Sequence, residues 1–219
     1  MAGGDGHSDV LADRSEAGRP GRRWLWLLVA AAVLLVAVWL AGRDEELEGM
    51  GTRHPAVGRT LSGLDLVPLT GTTRPVRLED LDGKITVINF WGPWCGYCLL
   101  ELPELAELEA HYRKRPDFLF LSVASNPDPH DSRGLQASVK EVLQRQGADF
   151  PTYRDPGGQT TLQLIATAGL ERQFGYPATI LVGRDRTIRG VWIGYRSGDV
   201  RRLRLAIEAE WMRTPSTSS

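Results

Sequence analysis

The sequence predicts an α/β sandwich, with a central mixed β-sheet flanked by helices, and three observations support that expectation. Short runs of β-branched and aromatic residues alternate with segments of helical periodicity, and the order closes on a hairpin and a final helix. The run over 85–91 (ITVINFW) has little polarity, as expected of a strand buried on both faces. Gly92 and Pro93 then break that run, and Cys95 and Cys98 follow where an apolar pattern of helical spacing begins. The 219 residues suffice for one ordinary domain with appendages. A formal net charge of −1 gives no electrostatic case for binding nucleic acid.

Taken in order, residues 1–23 are polar, rich in Gly, Asp and Arg, and are expected to form a disordered cytoplasmic arm. Residues 24–41 (WLWLLVAAAVLLVAVWLA) carry no charge. About 18 residues at ~1.5 Å rise span ~27 Å, enough for the hydrocarbon core of a bilayer. The run is longer than the apolar stretch of a signal peptide and lacks a small-x-small cleavage site, since Trp39 and Leu40 precede Ala41. A single transmembrane helix over 24–42, seated in the lipid bilayer, is therefore expected, with Trp24, Trp26 and Trp39 near its ends. Arg19, Arg22 and Arg23 lie on one side, and Asp44, Glu45, Glu46 and Glu48 on the other. The positive-inside rule then keeps the N-terminus in the cytoplasm and puts the cysteines outside, where thiol–disulfide chemistry is at home.

Residues 43–55 read as a polar linker and 56–213 as the folded domain. Residues 64–69 and 76–78 form an N-terminal β-hairpin around Gly71, and 78–84 a helical turn stopped by Gly83. Beyond the cysteines, Leu102, Leu105, Leu108 and Tyr112 repeat at helical spacing as far as Arg115, with Pro103 expected to kink the helix. Residues 118–124 are a second buried strand, and 126–131 a solvated loop that includes His130. A helix with Leu135, Val139, Val142 and Leu143 on one face follows. Residues 150–154 read as a short strand and 159–174 as a helical stretch. Strands over 178–182 and 188–193 pair across the turn at 184–186. The last helix places Val200, Leu203, Ile207 and Trp211 on one stripe, and 214–219 is a frayed tail.

Cys95 and Cys98 are the only cysteines in the chain. Unpaired N–H groups and the dipole at a helix N-terminus favour negative charge, so a thiolate at Cys95 is stabilised there. The i, i+3 spacing brings Cys98 close enough to close a small disulfide ring and to release a partner held on Cys95. A structural zinc half-site and a pair of inert core thiols are the other readings. His7, His54, His111 and His130 show no partner spacing for zinc. Redox exchange requires no metal or organic cofactor.

The order Trp94-Cys95-Gly96-Tyr97-Cys98 after a buried strand, with Pro103 five residues on, resembles a thioredoxin-fold active site. The resemblance covers about 56–212. Within that superfamily the chain is similar to the membrane-anchored TlpA/ResA/CcmG (DsbE) group, through Gly-Lys, strand, Asn-Phe-Trp, Trp-Cys-x-x-Cys and Glu-x-Pro between Gly83 and Pro103. The Trp91-Gly92-x-Trp94-Cys95 wording also resembles the ScsD proteins. The resemblance implies a thioredoxin-like fold and an extracytoplasmic thiol–disulfide oxidoreductase. It would reduce disulfides of periplasmic partner proteins, as in cytochrome c maturation, and be recharged by a membrane electron donor of the DsbD/CcdA type. It also implies a cis bond at Pro177, the backbone of Tyr176 as a pairing edge for substrate, and Trp94 as a shield and substrate contact. Asn89 stands where thioredoxin itself has a buried Asp, and Glu101 matches the active-site glutamate of the ResA-like proteins, placed to exchange a proton with Cys98.

Several alternatives stay open at this level. Glu101 also suits the exposed first turns of a helix, Pro177 an ordinary strand start, and Trp94 simple packing. Gly96-Tyr97 between the cysteines is also found in DsbC-type isomerases, so an oxidant or isomerase on the same site is the main alternative. A thiol peroxidase and a non-catalytic copper-binding or chaperone module are the others.

Overall fold

The computed structural model describes residues 21–48, 50–128 and 131–213, with side chains in the first helix described at 24 and 26–38. Of that helix, α1 (Gly21–Glu48), residues 21–44 belong to a unit distinct from the rest of the chain. Trp24, Trp26 and the leucines and valines between 27 and 38 are exposed on it. Among the described residues no helix is long and apolar enough to cross a membrane. The anchor expected over 24–42 extends past the described side chains. Residues 1–20 of the arm, the 214–219 tail and His130 lie outside the described residues.

The second unit contains the folded domain. Along the chain run β1 (Asp65–Thr70), β2 (Val76–Arg77), a 3-10 turn (Leu78–Leu81), β3 (Ile85–Trp91), α2 (Gly96–Tyr112) and β4 (Phe118–Ala124). There follow α3 (Ser132–Arg145), β5 (Thr152–Arg154), α4 (Gln159–Ala168), β6 (Ala178–Val182), β7 (Ile188–Ile193) and α5 (Asp199–Trp211). The strands make one sheet in the order β2-β1-β5-β4-β3-β6-β7. Strand β4 runs parallel to β3 and β5, while β6 runs antiparallel to β3 and β7. The expected hairpin is present as β1 and β2, and β1 joins the sheet through β5. This is the thioredoxin-like arrangement of a mixed sheet between helices.

Strand β3 sits near the middle of the sheet, and all seven of its residues are buried. Its period of two sorts them onto two cores. Ile85, Val87 and Trp91 pack with the apolar stripes of α2, α3 and α5, including Leu102, Leu105, Leu108, Val139, Leu203 and Ile207. Ile88 and Phe90 face the opposite way, toward Leu164 and Ala168 of α4 and the segment that holds Ala56, Leu61 and Leu64. Asn89 shares parity with Val87 and Trp91, so it points at α2. Thr86 lies on the other face, and its buried Oγ1 has no hydrogen-bond partner among the described residues. Thr86→Val removes an unsatisfied hydroxyl at nearly constant shape, and is expected to raise stability by about 1 kcal/mol in denaturant unfolding.

Element ends differ from the sequence reading in three places. The helical stretch expected as far as Phe174 stops at Ala168, because Gly169 turns left-handed (φ 67°) and its N–H caps the last turn. The strand expected from Phe150 begins at Thr152; Pro151 has no N–H for a ladder, and Phe150 turns its ring onto Phe120. The polar linker over 43–55 is helical as far as Glu48, and Gly51 already bridges to Val191 of β7. The helix with Pro103 inside it runs without interruption from Gly96 to Tyr112.

Candidate active site

The site forms where β3 ends. The Cys95 N–H donates to the Gly92 carbonyl at 3.0 Å, closing a turn directly after the strand. Cys95 is the N-cap of α2, and its sulfur accepts from the Cys98 N–H at 3.2 Å, satisfying one of the helix's unpaired donors. Cys98 is therefore in the first turn, and the two cysteines are joined as a disulfide with their Cα atoms 5.2 Å apart. Cys95 is 7% exposed and Cys98 1% exposed, so an attacking group reaches Cys95 and not Cys98.

Around Cys95 the surface is apolar: Trp94, Tyr97 and Leu100 are all more than half exposed. Trp94 is held rather than loose. Its Nε1–H donates to the Ser125 carbonyl at 3.1 Å, and its ring meets the Tyr176 ring edge-on at 5.3 Å. Tyr176 in turn meets Phe174, and Phe174 meets Phe90, so an aromatic chain runs from the surface into the core. The Tyr176–Pro177 bond is cis, and β6 begins at the next residue. Gly92 makes room for this wall, since a Cβ there would overlap the Trp94 indole. Gly92→Ala is expected to displace the indole and to cost about 1–3 kcal/mol, read as a change in tryptophan fluorescence and a lower denaturation midpoint.

Glu101 lies on the buried stripe of α2, one turn beyond Cys98, with Leu102 and Leu105 beside it. It is 3% exposed and, among the described residues, has no cation partner; its hydrogen bonds come from neutral groups. The Asn89 amide donates to Glu101 Oε2 at 3.0 Å and to Thr179 Oγ1 at 2.9 Å, and the Thr179 hydroxyl donates to Glu101 Oε1 at 3.4 Å. Antiparallel pairing of β3 with β6 puts Asn89 directly opposite Thr179, which is why one amide serves both. Burial raises the Glu101 pKa to about 8; the hydrogen bonds from Asn89 and Thr179 oppose this, and the nearby Asp199 and Glu104 charges add to it. At neutral pH Glu101 therefore holds its proton in the disulfide form.

The expected residues thus fall into two groups. Trp94, next to Cys95 in the turn, meets Tyr176, and Pro177 is buried beside Tyr176. Cys98 and Glu101 share the buried face of α2. Trp94 is half exposed, so packing alone does not explain it, and Glu101 is not at the surface. Sequence reasoning missed Thr179; its signal was its place two residues beyond Pro177, on the face that Asn89 shares. Among the described residues no three His, Cys, Asp or Glu side chains are grouped to hold a metal ion.

The Redoxin family model matches residues 51–206, which spans the sheet, both cysteines and most of α5. The chain belongs to the Redoxin family. The chain is 33% identical over 139 residues to the thiol-disulfide oxidoreductase ResA of Geobacillus kaustophilus, covering 64% of this chain and 70% of that one. A thioredoxin-like protein of Haemophilus influenzae is 32% identical over 108 residues, covering 49% of this chain and 57% of that protein. The crystal structure of a thioredoxin-family thiol:disulfide interchange protein from Chlorobium tepidum shares the fold, with a TM-score of 0.51 and 22% identity. That match covers 68% of this chain and 97% of the other. The chain spans 57% and 65% of the first curated relatives it matches, less than two thirds of their length. These matches bear out the likeness to the TlpA/ResA/CcmG group.

Proposed function

We propose that the chain is a thiol–disulfide oxidoreductase that reduces disulfides in partner proteins outside the cytoplasm. The observation that carries this reading is the placement of the cysteine pair: Cys95, the more exposed of the two, as N-cap of α2, and Cys98 buried one turn from Glu101. In the reduced protein the Cys95 thiolate attacks one sulfur of a target disulfide, forming a mixed disulfide and expelling the other target sulfur as thiolate. The Glu101 carboxylate takes the Cys98 proton, and the Cys98 thiolate attacks the Cys95 sulfur. The second target thiolate leaves, the Cys95–Cys98 disulfide forms, and two electrons have passed to the target. Glu101 then carries a proton at neutral pH, as its burial requires. Recharging reverses these steps: the donor thiolate attacks Cys95, and Cys98 leaves and recovers its proton from Glu101.

Trp94, Tyr97 and Leu100 supply an apolar contact surface for the partner, and the backbone of Tyr176 before Pro177 supplies a strand edge. The uncharged run over 24–41 in the sequence, with arginines before it and acids after it, is the reason to read a single-pass anchor with the cysteines on the extracytoplasmic side, which a reporter fused beyond Ser219 tests. A donor of the DsbD/CcdA type would supply electrons through the membrane.

The deciding test is the reduction potential of the full chain in detergent, equilibrated in glutathione or dithiothreitol buffers. A value below roughly −220 mV supports the reductase; one above roughly −150 mV overturns that direction and leaves an oxidant or isomerase, the reading that Gly96-Tyr97 favours.

A further inference from the structure

A second buried acid stands near Glu101. Asp199, the first residue of α5, has a side chain only 4% exposed. It lines a narrow crevice together with Glu101, Thr179, Trp192, Val200 and Leu203, and the crevice does not admit a water molecule. The Asp199 carboxylate is held from two sides: Oδ1 accepts from Nη2 of Arg202, and Oδ2 accepts from the Arg196 N–H at 2.8 Å. Arg202 is 39% exposed and, with Asp199, Trp192 and Arg196, borders an outer cavity of about 360 Å³ that 50–53 and the rest of α5 complete.

Every element around Glu101 contributes a group. Asn89 comes from β3, Thr179 from β6, Cys98 and Glu104 from α2, and Asp199 from α5. Tyr195, beyond β7, donates its hydroxyl to Glu104, and the bond keeps the phenol protonated to about pH 12. Asp199 is the one of these that is both enclosed and paired with a cation of its own.

We propose that the Asp199–Arg202 pair is a positioning device for the Glu101 proton: across the dry crevice the Asp199 charge holds the proton on Glu101, and Arg202 sets how much of that charge is felt. With no water between them, two carboxylates repel more strongly than at a wetted surface, and a cation on the far side of one weakens the effect. The consequence for exchange rests on the reading of Glu101 as the base for Cys98. Removing the Asp199 charge lets Glu101 ionise at lower pH and speeds release of the mixed disulfide; removing Arg202 does the reverse.

The test uses the full chain in detergent and two substitutions of opposite sign, Asp199→Asn and Arg202→Gln. The infrared band of the protonated Glu101 carboxyl, assigned by its loss in Glu101→Gln, is titrated in the disulfide form. Resolution of a mixed disulfide between Cys95 and a model peptide is timed at pH 7 by stopped flow. Asp199→Asn is expected to lower the Glu101 midpoint by roughly half to one pH unit, and Arg202→Gln to raise it by a similar amount. Resolution rates at pH 7 should rise and fall accordingly, by about three- to tenfold. A purely structural role would not shift the two midpoints in opposite directions. Unmoved midpoints, or shifts of the same sign, overturn the proposal. If Asp199→Asn does not fold, the exposed Arg202→Gln decides alone: an upward shift supports the proposal, and no shift or a downward one overturns it. Opposed midpoints with unchanged resolution rates would keep the coupling and remove Glu101 as the base.

Discussion

Cys98→Ser is expected to accumulate a stable mixed disulfide on Cys95 and to lower turnover of a disulfide substrate by at least about a thousandfold. The geometry gives each sulfur a distinct task. Cys95 borders solvent and an apolar apron of Trp94, Tyr97 and Leu100, whereas Cys98 is sealed beneath it. Without Cys98 the first attack proceeds, but no group reaches the Cys95 sulfur from inside to release the target. Cys95→Ser should leave no adduct at all, since Cys98 is out of reach of a protein-sized disulfide. Acid quenching and non-reducing electrophoresis after mixing with a disulfide-bonded partner distinguish the two. Equal trapping by both variants would refute the assignment of roles, and a Cys98→Ser variant that lost turnover but kept its function in the cell would point to a non-catalytic module.

The second large effect concerns pH and stability. Glu101 titrates near pH 4.5 when unfolded and near pH 8 in the folded disulfide form. Between those values the folded state binds the extra proton, so its contribution to stability is full below about pH 4.5 and is lost as the pH rises through 8. Glu101→Gln keeps the shape and cannot ionise, so the difference between variant and parent should be small near pH 4 and grow with pH. Above pH 8 the variant should be the more stable by up to about 5 kcal/mol, an upper bound set by the full separation of the two midpoints. Urea unfolding of the oxidised proteins at intervals from pH 4 to 9 measures it. Parallel curves would mean that Glu101 is ionised throughout and that the buried-acid account is wrong.

The centre of this site was legible because its signals are local. A buried strand, a Gly-Pro break and a helix beginning at Cys95 lie within about twenty residues, and spacing alone put Cys98 and Glu101 on one side of the helix. What lay beyond reach depends on pairing between distant segments. Thr179 meets Asn89 only because β3 and β6 are antiparallel in one particular register, and Asp199 reaches the crevice only once α5 packs across the sheet. The overrun of α4 has a different cause: Leu164, Ala168 and Leu170 continue an apolar pattern through Gly169, and the pattern does not reveal that this glycine turns left-handed and ends the helix. The polar character of 43–55 likewise hid Gly51, whose lack of a side chain lets it lie against the Trp192 indole.

That segment has a consequence for how copies of the protein behave together. Strand β7 lies at the border of the sheet, where open amides and carbonyls invite another chain to dock. Here they are occupied from within. Gly51 exchanges both backbone bonds with Val191, Gly58 donates to Ile188, Ile188 donates to Arg59, and Leu61 donates to Arg186. The opposite border is β2, only two residues long. A crowded population would therefore find little exposed ladder on which to polymerise, and trimming the chain to begin after Leu61 would uncover β7 and invite aggregation.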